Sequence, residues 1–392
     1  MQLTIDRQQL DHILTRAVTT VSNNPIIPSL SGVRLTLNQN NLTVTTSKED
    51  ISLVQTIPVQ DDDHPLTDVQ PDDILLPARY LQKLIKKFTG DTVKFKSSDK
   101  PGTIYVSSGR SKFKLAYQPG SAFPKLPEIG QSQHYQLTNL SLQTIFKQDL
   151  ISVTNSEARS MLNGINFNLQ PDQHQLRAVA TDSHRLSRTT TGVQALDDNH
   201  DEINETIPTV SLKALQKITN HYPDDQIIDL FHSTKIKQIK FQVDNLTIYT
   251  RALDGQYPDT ERLLPTNPKL SLTMDRRDFF QVMDRMSLAA GSDQVANLTV
   301  KADGSAEIAI NDLQDVRSAT EPLETKDVQF IDETSQDQDF PIAFNIEYIK
   351  EGLRAMSGDT VVLNLWNTLR PFTLTDPDDE HFLYLVTPIR TF

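Results

Sequence analysis

The chain has 392 residues, 13 Gly, 21 Pro, no Cys and a formal net charge of −13, room for roughly two to four ordinary globular domains. Without Cys there are no disulfides, thiol nucleophiles or cysteine-ligated zinc or iron–sulfur centres. No apolar run approaches the roughly 20 residues that span a bilayer, and the start, MQLTIDRQQL, has charges where a signal peptide is apolar, so the expectation is a cytoplasmic chain with no membrane partner.

In chain order, Leu3-Thr4-Ile5 reads as a short strand and Asp6 as a helix N-cap. The helix that follows sets Leu10, Ile13, Leu14, Ala17, Val18 and Val21 on one face. LTVTTSKEDISLVQTIPV reads as strand, turn, strand. Pro77 opens a second helix, ARYLQKLIKKF, with Tyr80, Leu81, Leu84, Ile85 and Phe88 on its apolar face. A connector with Phe123-Pro124 and Pro127 comes next. The first helical word then returns with Thr138 at the cap and Leu142, Ile145 and Phe146 behind it, an offset of 132. HQLRAVATDSHRLSRTT is the second strand–turn–strand. Pro208 opens TVSLKALQKIT, whose Leu212 and Leu215 match Leu81 and Leu84 at an offset of 131.

Tyr257-Pro258 and Pro265 mark the next connector. Leu272-Thr273-Met274 and Asp275 begin a third copy, in which Phe279, Val282 and Met283 match Leu10, Ile13 and Leu14 at an offset of 269. AEIAINDLQDVRSATEPL is its strand pair. Asn345 opens IEYIKEGLRAM, with Tyr348, Ile349 and Leu353 at an offset of 268. Two unrelated helical words thus repeat at the same spacing, a sign of internal repetition. The expected fold is three α+β domains, at residues 1–128, 129–264 and 265–392, each with two helices on a mostly antiparallel sheet. Head-to-tail contacts of this kind close into a ring or run on as a filament.

The net charge alone argues against a nucleic-acid partner. Its distribution reverses that. The six helical segments sum to +8, leaving −21 on the rest of the chain. Arg79, Lys83, Lys86 and Lys87 recur at i, i+4, i+7 and i+8, away from the apolar face of their helix. Basic helices on an acidic body suit a polyanion track, with salt-sensitive and sequence-independent phosphate contacts.

The phrases MLNGINF, VATDSHRLS, YPDTERLLP and YLVTPIRTF, together with the threefold repeat, resemble the bacterial DNA polymerase III beta subunit family, the sliding clamps, along the whole chain. The tail and Arg370-Pro371-Phe372 are most similar to clamps of low-GC Gram-positive bacteria. The resemblance implies a homodimeric ring of six domains, helices lining the hole and sheets outside. Such a ring encircles duplex DNA and tethers the replicative polymerase, without catalytic residues or cofactors. It also implies partners: the polymerase alpha subunit, the clamp loader and other proteins carrying a clamp-binding peptide.

Carried over by motif, the peptide pocket between the second and third domains uses Leu162 from MLNG and Thr181, His184, Arg185 and Leu186 from TDSHRL. It adds Pro258, Arg262 and Leu263, then Asn345 and Tyr348, then Leu369 and Pro371. The tail supplies Leu385, Val386, Pro388, Ile389 and Arg390. The implied DNA-facing residues are Arg79, Lys83, Lys86, Lys87, Lys213, Lys217, Arg276 and Arg277. The implied dimer contacts are Phe113, Leu288 and Ala289. Three positions depart from the family pattern: Asn24 stands where many members have a basic residue, Ser156 where glutamine is common, and Ser183 where TDSHR usually has glycine.

A different class of reading takes Asp182 and His184 as metal ligands of a nucleic-acid-processing enzyme. It lacks a third ligand at recognisable spacing. No G-x-S-x-G surrounds Ser183, so a nucleophile–base reading of Asp182-Ser183-His184 is also unsupported.

Overall fold

A computed structural model describes all residues except 49, 62, 127–128, 131, 155, 197–201, 234, 313–316, 332–338 and 391–392. The connector residue Pro127 and the tail residues Thr391 and Phe392 lie outside the described residues. The expected helices form as α1 (Arg7–Ala17), α2 (Ala78–Lys87), α3 (Asn139–Asp149), α4 (Thr209–Thr219), α5 (Arg276–Ser287) and α6 (Ile346–Ala355). Side-chain carboxylates and an amide start three of them. Asp6 Oδ1 accepts from Gln9 N at 2.8 Å, and Asp275 Oδ1 from Arg277 N and Asp278 N at 2.9 and 3.1 Å. Asn345 Oδ1 accepts from Glu347 N and Tyr348 N at 2.9 and 3.3 Å. Each satisfies first-turn N–H groups that have no partner inside the helix. Pro77 and Pro208 directly precede α2 and α4.

The strand–turn–strand readings also hold. Asn41–Lys48 pairs with Ile51–Pro58, Gln175–Thr181 with Arg185–Gly192, and Ala306–Asp312 with Arg317–Leu323, all antiparallel. One expectation needs correcting: Tyr80 is 50% exposed, and α2 buries Ala78, Leu81, Leu84 and Ile85. Tyr80 stands at the edge of the apolar stripe, where a long ring with a polar tip reaches solvent.

The chain forms two compact units. The first comprises Met1–Leu140, Gln194–His200 and Val210–Ala252; the second comprises Ser141–Val193, Asp201–Thr209 and Leu253–Phe392. The first unit holds a five-stranded and a ten-stranded sheet. The ten-stranded sheet is continuous because Ile51–Pro58, from the first repeat, pairs with Leu246–Arg251, from the middle one. The second unit holds a nine-stranded and a four-stranded sheet. Its long sheet is continuous because Arg185–Gly192, from the middle repeat, pairs with Asp379–Val386, from the last. Each joint is thus a main-chain ladder between an edge strand of one repeat and an edge strand of the next. These ladders divide the middle repeat between the two units.

The last repeat shows how the core is filled. Phe279 and Met283 from α5 and Ile349 and Leu353 from α6 are buried in one cluster with Phe344, Phe372 and Tyr384 from the strands. Alternating strand residues point inward from two sheets onto the helix faces.

Candidate protein-binding site

The turn joining Gln175–Thr181 to Arg185–Gly192 is built by its own side chains. Thr181 Oγ1 donates to Arg185 O at 2.6 Å and accepts from Ser183 N at 3.1 Å. Asp182 Oδ1 accepts from His184 N and Arg185 N at 2.9 and 3.0 Å. These are the Asx and ST bonds that hold tight turns without a sheet ladder. Ser183 takes φ +80°, a region that favours glycine. Ser183 Oγ accepts a hydrogen bond from Arg159, which holds the residue in this conformation.

Arg185 organises the surface beside the turn. Its guanidinium donates to Asp182 Oδ2 at 3.0 Å, to Glu351 of α6 and to Tyr384 Oη at 3.4 Å. It also lies 4.4 Å from the ring centroid of Tyr348. Burial alone would lower its pKa, but Tyr384 and Glu351 more than offset that, so it stays charged. Tyr384 Oη donates to Tyr348 O at 3.0 Å, and the His184 and Tyr348 rings stack at 6.4 Å. The result is a rigid aromatic and cationic ledge next to an apolar patch.

That patch lies on the outward face of the Arg185–Gly192 and Asp379–Val386 ladder. Leu186 pairs across the ladder with Leu385, and with Val179 they form a buried cluster flanked by Tyr257, Leu264 and Leu383. The connector 257–264 is tied to the sheet by Glu261, which meets Arg177 at 3.0 Å and Arg188 at 3.4 Å. Thr387 N donates to His184 O at 2.8 Å and Ile389 N to Ala343 O at 2.7 Å, which fixes the tail along the same face. There Leu369, Ile389 and Arg390 line an open cleft of about 330 Å³ with Pro341, Ile342 and Thr368.

The expected pocket residues therefore separate by role. Thr181, His184, Arg185 and Tyr348 build the ledge, Leu186 and Leu385 the patch, and Leu369, Ile389 and Arg390 the cleft. Leu263 is exposed, Pro258 is exposed, and Arg262, 87% exposed, pairs with Asp259 at 2.8 Å on the connector. Leu162 and Pro388 are buried and Pro371 half-buried. Two assignments change. Val386 belongs to the interior cluster of the last repeat, because strand alternation turns it inward when Leu385 faces outward. Asn345 is the N-cap of α6, its amide also donating to Asp293 O at 3.3 Å.

Sequence reasoning missed Val179, Glu351 and Tyr384. Alternation in QLRAVAT and HFLYLV signals the outward Val179 and inward Tyr384, but nothing local marks Glu351 as the partner of Arg185.

The basic helices divide in a way that charge counting did not anticipate. Lys83, Lys86 and Lys87 on α2 and Lys213 and Lys217 on α4 are exposed, as is Arg277 on α5. Arg79 is exposed but donates to Val21 O at 2.9 Å. Arg276 donates to Leu353 O at 3.1 Å and to Gly358 O, and so serves the carbonyls at the end of α6. Lys350 of α6 is buried against Asp284 and Glu347 at 2.9 and 3.0 Å. The free-standing positive charge thus concentrates on α2 and α4. Phe113 and Leu288 are exposed, Leu288 to 77%, and Ala289 packs against the last core.

The metal reading of Asp182 and His184 finds no support. Among the described residues no three His, Asp or Glu side chains come together as a metal site. Both Asp182 oxygens are occupied by the turn and by Arg185.

Family models of the DNA polymerase III beta subunit match the chain in three successive pieces: the N-terminal domain at residues 1–127, the central domain at 136–259 and the C-terminal domain at 261–390. A beta sliding clamp of Staphylococcus epidermidis is 31% identical and one of Bacillus subtilis 28%, each over the full length of both chains. The crystal structure of the Bacillus subtilis DNA polymerase sliding clamp superposes with a TM-score of 0.91 at 28% identity, again covering both chains completely. The beta chain of DNA polymerase III from Streptococcus pneumoniae gives 0.90 at 29%. Full-length identity, three successive family domains and a shared fold place this chain in the bacterial beta sliding clamp family.

Proposed function

We propose that the chain is the processivity clamp of DNA replication and works as a homodimeric ring of six domains, divided in each chain at 1–128, 129–264 and 265–392. One observation carries the ring. By repeat position, Ile51–Pro58 corresponds to Arg185–Gly192 and to Arg317–Leu323, while Leu246–Arg251 corresponds to Asp379–Val386 and to Ser111–Ala116. Two of the three possible ladders form within the chain. Ser111–Ala116 and Arg317–Leu323 remain as sheet edges, each ladder-bonded on one side only among the described residues. An open edge is a template for another chain. Two copies meeting through these edges would complete both remaining joints and give a closed assembly. Phe113 stands on the first of these edges, and Leu288 and Ala289 follow α5, next to the second in the same repeat.

In such a ring α2 and α4 would present Lys83, Lys86, Lys87, Lys213 and Lys217 to duplex DNA, with Arg79 and Arg277 beside them, contacting phosphates without reading sequence. The ledge, patch and cleft would hold a short peptide of the replicative polymerase alpha subunit, of the clamp loader and of other partners, with apolar side chains as anchors. The work is topological and makes or breaks no covalent bond. Its setting is the cytoplasm, at replicating DNA.

Equilibrium sedimentation should give a mass near twice 44.2 kDa; a stable monomer at micromolar concentration would remove the ring. Clamps loaded on circular DNA should be lost when the DNA is cut, and retention on linear DNA with free ends would mean ordinary binding. Changing Lys83, Lys86 and Lys87 to Glu should reduce loading and lower the salt dependence by about one unit of slope for each phosphate no longer neutralised.

A further inference from the structure

We propose that the joint between the first and middle repeats carries a second peptide-binding cleft, selective for a linear peptide with an apolar anchor beside an acidic residue. The proposal rests on the reading of the other joint as a peptide site. An open cleft of about 430 Å³ lies against the ladder of Ile51–Pro58 and Leu246–Arg251. It is built from the same positions as the other site. Leu30 stands where Leu162 stands, 132 residues earlier. Ser47, Ser52 and Pro124 stand where Thr181, Leu186 and Pro258 stand, each 134 residues earlier. Every one of these four lines the cleft.

Its chemistry differs from that of the other site and sets the ligand class. Ile26, Ile27, Leu30 and Leu126 supply apolar lining, and Ile26 is 93% exposed with no internal packing to explain it. Ser47, Ser52 and Gln238 line it as buried polar groups. Ser47 Oγ and Ser52 Oγ are 2.8 Å apart, which leaves hydroxyl lone pairs able to accept a peptide N–H. Among the described lining residues Lys125 and Arg251 are the cations and Asp50 the anion. Apolar lining, a few fixed polar groups and a net positive rim suit a peptide carrying both an apolar anchor and a carboxylate. A duplex polyanion would find neither use for the apolar lining nor an all-cationic surface.

The probe is acetyl-Gly-Asp-Leu-Phe-Gly-amide labelled with fluorescein, with a p-benzoylphenylalanine version for photocrosslinking, added to the full-length protein. The expected titration saturates at two peptides per chain. Lys125→Glu combined with Ile26→Asp, both at exposed positions, removes one, and Tyr348→Ala removes the other. In the Tyr348→Ala background the crosslinks fall within residues 22–30 and 124–126. Replacing the Asp of the probe with Lys weakens the remaining binding about tenfold or more. Saturation at one peptide, lost with Tyr348→Ala and untouched by Lys125→Glu with Ile26→Asp, overturns the proposal. Binding that survives Tyr348→Ala but is lost with the double variant supports it and overturns the reading of the other joint instead.

Discussion

The two intrachain joints have the same backbone and different chemistry. At the joint of the first and middle repeats Ile51 is buried, 1% exposed, in the ladder; at the joint of the middle and last repeats the corresponding residue is Arg185, 134 positions later. The helix beneath the first joint ends in Ala17, and the helix beneath the second ends, 132 positions on, in Asp149. Ala17 O simply accepts from the Thr20 and Thr46 hydroxyls at 3.1 and 3.0 Å. Asp149 is fully buried, with the Ser187 and Thr189 hydroxyls beside its carboxyl, and the Thr189 hydroxyl also donates to Gln148 Oε1 at 2.9 Å. Duplication of one fold has thus left two joints whose matching positions carry different side chains. The ladder carries the connection in both, which frees the side chains of the second joint to build a charged, aromatic ledge.

The largest expected effect breaks that ledge. Arg185→Ala removes the cation from Asp182 and Glu351 and should cost about 2–3 kcal/mol, less than breaking a fully buried pair because both carboxylates keep contact with water. Peptide binding should go with it. Ile51→Ala at the matching position should cost a comparable amount, about 2–5 kcal/mol, by leaving a cavity, yet keep peptide binding at the second joint. Urea unfolding and peptide titration on the two variants separate the cases; equal loss of peptide binding in both would erase the distinction.

Next comes the buried acid. Burial pushes the Asp149 carboxyl up to about 8, far above its ordinary 3.8. Its folded pKa is raised, so its favourable contribution is complete below 3.8 and is lost as pH rises through about 8. Asp149→Asn should therefore be more stable than the parent at pH 9, on the order of 2 kcal/mol after the cost of burying an amide in the same place. At pH 4 it should show no advantage. Unfolding curves at the two pH values test this, and an unchanged difference between parent and variant across that range would show that Asp149 does not titrate in this window.

The smallest effect concerns the turn. Ser183→Gly relieves a positive-φ strain and should stabilise by about 0.5–1 kcal/mol, less whatever the Arg159 hydrogen bond contributes. A rise in melting temperature of a few degrees or less is the expected reading. A fall would mean that the hydrogen bond outweighs the strain.

The repeats, the six helices, the caps at Asp6 and Asp275, and the strand pairs were legible in the sequence, because each depends on spacing and on bonds within a few residues. The residues of the ledge and patch at Thr181, His184, Arg185, Leu186 and Leu385 were also singled out in the sequence, through TDSHRL and the tail. Strand alternation could have shown that Val386 faces the core. The sequence could not show that Arg276 and Lys350 are occupied within the fold while Lys83, Lys86 and Lys87 face solvent, since net charge counts residues and not their partners. Only tertiary structure brought Glu351 to Arg185, 166 positions away, and left Ser111–Ala116 and Arg317–Leu323 at the ends of their sheets. Periodicity is a property of the chain, whereas burial, ion pairing and an open sheet edge are properties of what folds against it.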